Sequence, residues 1–153
     1  MKIIVSACLL GDNVKYDGTN NKNNELIKFL DSYEIIKVCP EVFGGLSIPR
    51  IPSEIKNNKV INKEKNDVTR EFIEGANKTL EIAKANDIKV AILKDGSPSC
   101  GSINIYDGTF THTKINGNGI TAKLLKDNNI IVLNENNYKD YFNGGNYNEN
   151  RIK

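Results

Sequence analysis

The sequence predicts an α/β fold in three layers, with helices on both sides of a mostly parallel sheet. Four short apolar runs, at 3–7, 35–38, 89–94 and 130–133, have the length of buried strands. The segments between them place apolar residues at helical spacing. Strand, helix, strand, long helix, strand, helix, strand is the alternation of βαβ units, which builds a parallel sheet covered by helices. Together these describe a Rossmann-like α/β/α domain.

Each element has its own justification. The first run, Ile3-Ile4-Val5-Ser6-Ala7, reaches Gly11 without a small-residue cleavage signal, so it reads as a buried first strand and not a signal peptide. A turn-rich segment follows, from Gly11-Asp12-Asn13 to Tyr16-Asp17-Gly18-Thr19. Residues 25–30 have helical spacing, and the second strand ends at Cys39-Pro40. Residues 41–66, with Gly44-Gly45, Pro49, Pro52 and a polar run, read as a long loop of the kind that is usually functional or mobile. The clearest helix spans 67–85, where Val68, Phe72, Ala76, Leu80 and Ala83 form one apolar stripe. The third strand empties into Asp95-Gly96-Ser97-Pro98-Ser99-Cys100-Gly101, and a further loop leads to a helix at 119–126 and the fourth strand. From Asn143 the chain is rich in Asn and Gly with little to bury, which predicts one domain at 1–142 and a flexible C-terminal tail at 143–153.

Bulk properties narrow the function. A chain of 153 residues that is 39% hydrophobic is large enough to bury one core of its own. Its 21 basic and 19 acidic residues leave a net charge of +2, which is no footprint for DNA binding. No apolar stretch approaches the roughly 20 residues of a membrane span. The three cysteines are an odd number without a secretory signal, which argues for reduced thiols in a cytoplasmic protein.

Those cysteines are the most informative residues. Cys8, Cys39 and Cys100 each follow an apolar run, so a parallel sheet gathers all three at the edge where open α/β sheets bind ligands. Free cysteines are often small buried hydrophobes. Here Pro40 follows one, and Pro98 and Gly101 bracket another, which favours ligation. Structural zinc usually has paired C-x-x-C spacings, which are missing, and the single histidine, His112, lies in a polar, Thr-rich segment. Scattered cysteines suit an iron–sulfur cluster better, and three ligands on four irons leave one iron open.

Other residues have two readings each. Glu41, two residues after Cys39, is either a solvated loop glutamate or a general acid/base. Ser97 is either an ordinary turn serine or a group that orients water or a nucleobase carbonyl. Gly117-Asn118-Gly119 is either a helix entry or a set of backbone N–H groups for an anion. Tyr16-Asp17-Gly18-Thr19 recurs as Tyr106-Asp107-Gly108-Thr109, either as two tight turns or as two tyrosines flanking the thiols.

Read together, the motifs resemble the thiouracil desulfidase family. They are Ser6-Ala7-Cys8-Leu9-Leu10-Gly11 with Tyr16-Asp17-Gly18, and Cys39-Pro40-Glu41-Val42 with Gly44-Gly45-Leu46 and Pro49-Arg50. Ser97-Pro98-Ser99-Cys100-Gly101, Ile105-Tyr106-Asp107-Gly108 and Gly117-Asn118-Gly119-Ile120-Thr121-Ala122 complete the set, which runs from Lys2 to Glu135. The resemblance implies a [4Fe-4S] cluster held by Cys8, Cys39 and Cys100, with one iron not ligated by protein. It further implies non-redox removal of sulfur from thiolated uracil or uridine, including 4-thiouridine, free or in tRNA. Ser97 matches the family's catalytic serine. Some members carry the acid/base glutamate where this chain has Phe43, which cannot move protons, so either Glu41 takes that role or the substrate or mechanism differs.

The near-neutral charge favours a small thiolated pyrimidine, whereas a local patch of Lys15, Arg50, Lys94 and Lys114 would suit tRNA. Two competing functions are a non-catalytic iron–sulfur carrier or redox sensor, and a zinc hydrolase with deaminase-like logic. The H-x-E pattern of the latter is missing. Nothing in the sequence sets the oligomeric state.

Overall fold

The computed structural model describes residues 1–143. The expected tail at 143–153 therefore lies outside the described residues from position 144 onward. A four-stranded sheet forms the centre, built from β1 (Lys2–Ser6), β2 (Glu34–Val38), β5 (Val90–Ile92) and β8 (Ile131–Leu133). Its order is β2-β1-β5-β8, and every pairing is parallel. Ile3 is matched to Ile35 on one side and Val90 on the other.

Alternation along these strands divides the core between two faces. Ile3, Val5, Val90 and Ile92 pack with Leu26 of α1 (Asn24–Phe29) and with Tyr138 of α5 (Tyr138–Phe142). Ile4, Ala91, Leu93 and Val132 pack with Ala83 of α3 (Thr69–Ala85) and with Ala122 and Leu125 of α4 (Ile120–Asp127). This is the expected three-layer α/β/α arrangement. In α3, Phe72, Ala76 and Ala83 are buried as the stripe requires. The start of α1 is fixed by Asn23, whose side chain accepts a hydrogen bond from the Leu26 N–H at 3.0 Å.

The two long loops contain elements that hydrophobic periodicity does not reveal. Residues 41–66 include the end of a short helix, α2 (Pro40–Phe43), and a hairpin of β3 (Ser53–Lys56) and β4 (Lys59–Asn62). Its turn is Asn57-Asn58, with φ of 52° and 62°, the left-handed pair that a two-residue hairpin loop demands. After Cys100 comes a second antiparallel hairpin, β6 (Asn104–Tyr106) and β7 (Lys114–Asn116). The hairpins meet at Gly108, where a Cβ would lie 2.8 Å from the Ile55 carbonyl oxygen. Among the described residues no helix is long and apolar enough to cross a membrane.

Candidate functional site

The chain leaves β1 toward β2 on one side and returns to β5 on the other, so a topological switch point lies at their C-terminal ends. Cys8 sits in the 3-10 turn Ala7–Leu10 directly after β1. Cys39 follows β2 and precedes Pro40 of α2. Cys100 lies in the loop after β5. All three are free thiols, and all three line one cavity of about 480 Å³. The expected gathering at the sheet edge is what the fold produces.

Burial pushes all three thiols above their ordinary range, Cys100 furthest. Local donors oppose this in part: the Asn21 side chain at Cys8, the Val42 N–H at Cys39 and Ser6 at Cys100. The Ser6 hydroxyl oxygen in turn accepts the Lys94 N–H at 2.9 Å. Among the described residues, no three His, Cys, Asp or Glu side chains converge closely enough to hold a single metal ion. Three free thiols around one cavity are soft donors of the kind an iron–sulfur cluster takes.

The Cys100 loop is held from two directions. Asp95 accepts hydrogen bonds from the N–H groups of Ser102, Ile103 and Asn104 at 3.0–3.2 Å and from Asn104 Nδ2 at 3.2 Å. Burial alone would raise its pKa, but these donors outweigh it and hold the carboxyl below its ordinary range. From the other side the N-terminus of α4 donates into the loop. Gly119 N bonds Gly101 O at 2.7 Å, Ile120 N bonds Pro98 O at 2.9 Å, and Thr121 N bonds Ser99 O at 2.9 Å. Of the N–H groups considered for an anion, that of Gly119 donates into the Cys100 loop and that of Gly117 donates to Ile103 O at 2.9 Å, which supports the helix-entry reading of Gly117-Asn118-Gly119.

Glu41 and Ser97 come together. The Ser97 oxygen accepts from Ser99 N and Cys100 N, both at 3.0 Å, and its hydroxyl donates to Glu41 Oε2 at 3.5 Å. Arg50 Nε donates to Glu41 Oε1 at 3.1 Å. Phe43 packs instead against the core face under α3 and α4 and is not part of the cavity wall. Of the carboxylates lining the cavity, Asp95 and Glu54 bind backbone, Glu54 accepting from Gly108 N and Phe110 N at 3.0 and 3.1 Å.

The Tyr-Asp-Gly-Thr repeat satisfies both of its readings in part. Each aspartate accepts from the backbone N–H of the following threonine at 3.0 Å, and Gly18 and Gly108 have φ of 82° and 93°, so both copies are tight turns. Both tyrosines also line the cavity. Lys15 Nζ lies 5.5 Å from the centre of the Tyr16 ring, and Lys114 Nζ lies 5.7 Å from that of Tyr106. The other two members of the expected basic patch are paired, Arg50 with Glu41 and Lys94 with Glu135 at 2.9 Å. His112 is exposed yet on the cavity wall, at a φ of 60°.

Comparison with known proteins agrees with this geometry. Residues 3–137 match the family described as 2-thiouracil desulfurase. The chain belongs to that family. Another similar protein is the uncharacterized protein YbbK of Bacillus subtilis (strain 168), 40% identical over 90% of this chain and 98% of the relative. A solved structure of the [4Fe-4S]-dependent thiouracil desulfidase TudS superposes with a TM-score of 0.88 at 41% identity, covering 94% of this chain and 96% of that one. The desulfurase family, expected from the motifs, is thus shown by comparisons that span nearly the whole chain.

Sequence reading did not find Arg50 as the partner of Glu41, Asp95 as the anchor of the Cys100 loop, or Ser6 and Asn21 beside the thiols. Arg50 was visible as part of the Pro49-Arg50 motif and as one cation in a patch, but not as the partner of Glu41, because the contact joins residues that no periodicity relates.

Proposed function

We propose that this chain is a [4Fe-4S]-dependent thiouracil desulfidase, in which Cys8, Cys39 and Cys100 each give one thiolate to the cluster and one iron has no protein ligand. The observation that carries the reading is three free thiols around one cavity, whose wall also holds the Glu41–Ser97 pair. The cluster, when bound, supplies a Lewis acid with affinity for the thiocarbonyl sulfur.

The chain's own residues then supply positioning and proton movement. Ser97, its oxygen fixed by two N–H donors, directs its hydroxyl proton at Glu41 and so orients the carboxylate that takes up an attacking water from the cavity. Glu41 takes the water proton as oxygen adds to the thiocarbonyl carbon. The C–S bond breaks, sulfur leaves as hydrosulfide, and the pyrimidine carries oxygen in its place. The sum is hydrolysis, with no electron donor. The substrate is a thiolated uracil or uridine, as free base, nucleoside, nucleotide or 4-thiouridine in tRNA. Tyr16 and Tyr106 offer ring faces for a flat pyrimidine, with Lys15 and Lys114 beside them.

The test is anaerobic. The protein is reconstituted with iron and sulfide and mixed with 4-thiouracil, 4-thiouridine, its nucleotide or thiolated tRNA, and thiocarbonyl absorbance is followed with sulfide release. Cluster-dependent turnover is the expected result. A stable cluster with no turnover on any of the four, or on 2-thiouracil, would replace this reading by an iron–sulfur carrier or redox sensor.

A further inference from the structure

We infer that Arg50 is a positioning residue for Glu41, fixing which carboxylate oxygen faces Ser97 and tying that carboxylate to the two loops beside the thiols. The inference rests on the proposed role of Glu41. The Arg50 side chain is only 8% exposed and that of Glu41 18%, so the pair is largely withdrawn from water. Three guanidinium nitrogens reach three acceptors: Nε to Glu41 Oε1 at 3.1 Å, Nη1 to Ser47 O at 3.2 Å and Nη2 to Val14 O at 2.8 Å. The Arg50 backbone N–H also donates to Tyr16 O at 2.7 Å.

Each contact has a consequence at the site. With Oε1 taken by Arg50, Oε2 is the oxygen left to face Ser97. Val14 O, held by Arg50, is also an acceptor for the Cys39 thiol, at 4.0 Å. The bonds to Val14 O and Tyr16 O fix the segment that brings Tyr16 to the cavity wall. A planar fork with donors in fixed directions is needed to join three acceptors at once. Lysine, a single point charge on a flexible stem, cannot do this. Glu41 lies in a helix of only four residues, which offers little other restraint on its side chain.

The test compares Arg50→Lys with wild type after anaerobic loading, measuring iron per chain, melting temperature, kcat and KM for 4-thiouracil. The expected result is unchanged iron content, a KM within about twofold, and a kcat about a hundredfold lower, the scale of an ångström-sized misplacement. In a Glu41→Gln background the same substitution adds less than a further twofold loss. Additive losses, or a loss confined to KM, would overturn the inference. Should Arg50→Lys fail to fold or load, Glu41→Asp serves instead, since the shorter carboxylate cannot reach both Arg50 and Ser97. Wild-type kcat in that variant would also overturn it. A wild-type protein silent on every thiolated pyrimidine would instead refute the functional reading. Crystal structures of wild type and Arg50→Gln then decide the role of Arg50, and a Glu41 that keeps its 3.5 Å contact with Ser97 in the variant ends the inference.

Discussion

Gly44 and Gly75 meet backbone to backbone where α2 crosses α3. A Cβ on Gly44 would lie 1.9 Å from the Glu71 carbonyl oxygen, and one on Gly75 would lie 1.9 Å from that of Pro40. No side chain fits on either, and the atoms in the way are main chain, which cannot swing aside. The crossing bears on the proposed site because α2 begins immediately after Cys39 and holds Glu41 in its first turn.

Gly75→Ala is therefore expected to force α2 away from α3. Overpacking of this kind costs about 3 kcal/mol, at the upper end of its usual range because backbone must move. Urea unfolding should show a lower midpoint, and iron bound per chain after reconstitution should fall with it. An unchanged midpoint with full iron loading would show that the crossing has slack.

The Cys100 loop depends on a buried pair of hydroxyls. Ser99 Oγ and Thr121 Oγ1 lie 2.7 Å apart, and both residues are fully buried. Thr121→Val keeps the shape but leaves Ser99 without this partner, which costs about 1–3 kcal/mol. Adding Ser99→Ala removes the unsatisfied hydroxyl, so the double variant should be no less stable than Thr121→Val alone. A double-mutant cycle by chemical unfolding measures this, and strictly additive losses would contradict it.

How much of this was legible in the sequence follows from which interactions are local. The four strands and the stripe of Phe72, Ala76 and Ala83 were readable because burial on a regular element leaves a period in the chain. The gathering of Cys8, Cys39 and Cys100 was readable because parallel topology places every strand end on one edge. The hairpin at 53–62 was hidden because its turn is Asn57-Asn58 within a polar run, without the glycine that usually marks such a turn. Short β6 and β7 carry too little apolar residue to announce themselves. Arg50 to Glu41 and Asp95 to residues 102–104 are contacts between loops, set by tertiary structure alone. Cys8, Cys39, Cys100, Glu41 and Ser97 were candidates from their neighbours in the sequence, but only the structure shows Phe43 packed in the core while Glu41 reaches the cavity.

Asp95 should give the fold a specific acid sensitivity. Its folded pKa lies below the ordinary 3.8, so the unfolded chain binds the proton first as pH falls. The stabilisation it contributes is fully present above that ordinary value and is lost as pH drops through the folded value. Asp95→Asn removes this dependence. It also sets an amide NH2 against Asn104 Nδ2, donor facing donor, so the variant is less stable at neutral pH. Unfolding free energy measured from pH 6 to pH 2 should fall more steeply for wild type over the acid range. Parallel curves would assign the acid sensitivity elsewhere.

Thiol modification tests the site before any substrate is added. In metal-free protein the attacking species is the thiolate, and burial raises all three thiols above their ordinary 9.0. Iodoacetamide should therefore react slowly at neutral pH and faster as pH rises. Cys8 and Cys39 are half-buried whereas Cys100 is buried, so Cys100 should be alkylated last. After anaerobic reconstitution all three should be protected together if, as proposed, one cluster takes all three thiolates. Peptide mass spectrometry over a time course reads both the order and the protection. Rapid labelling of any one cysteine in protein carrying four irons per chain would remove that residue from the ligand set, and Cys→Ala variants at the other two would then identify which thiols hold the cluster.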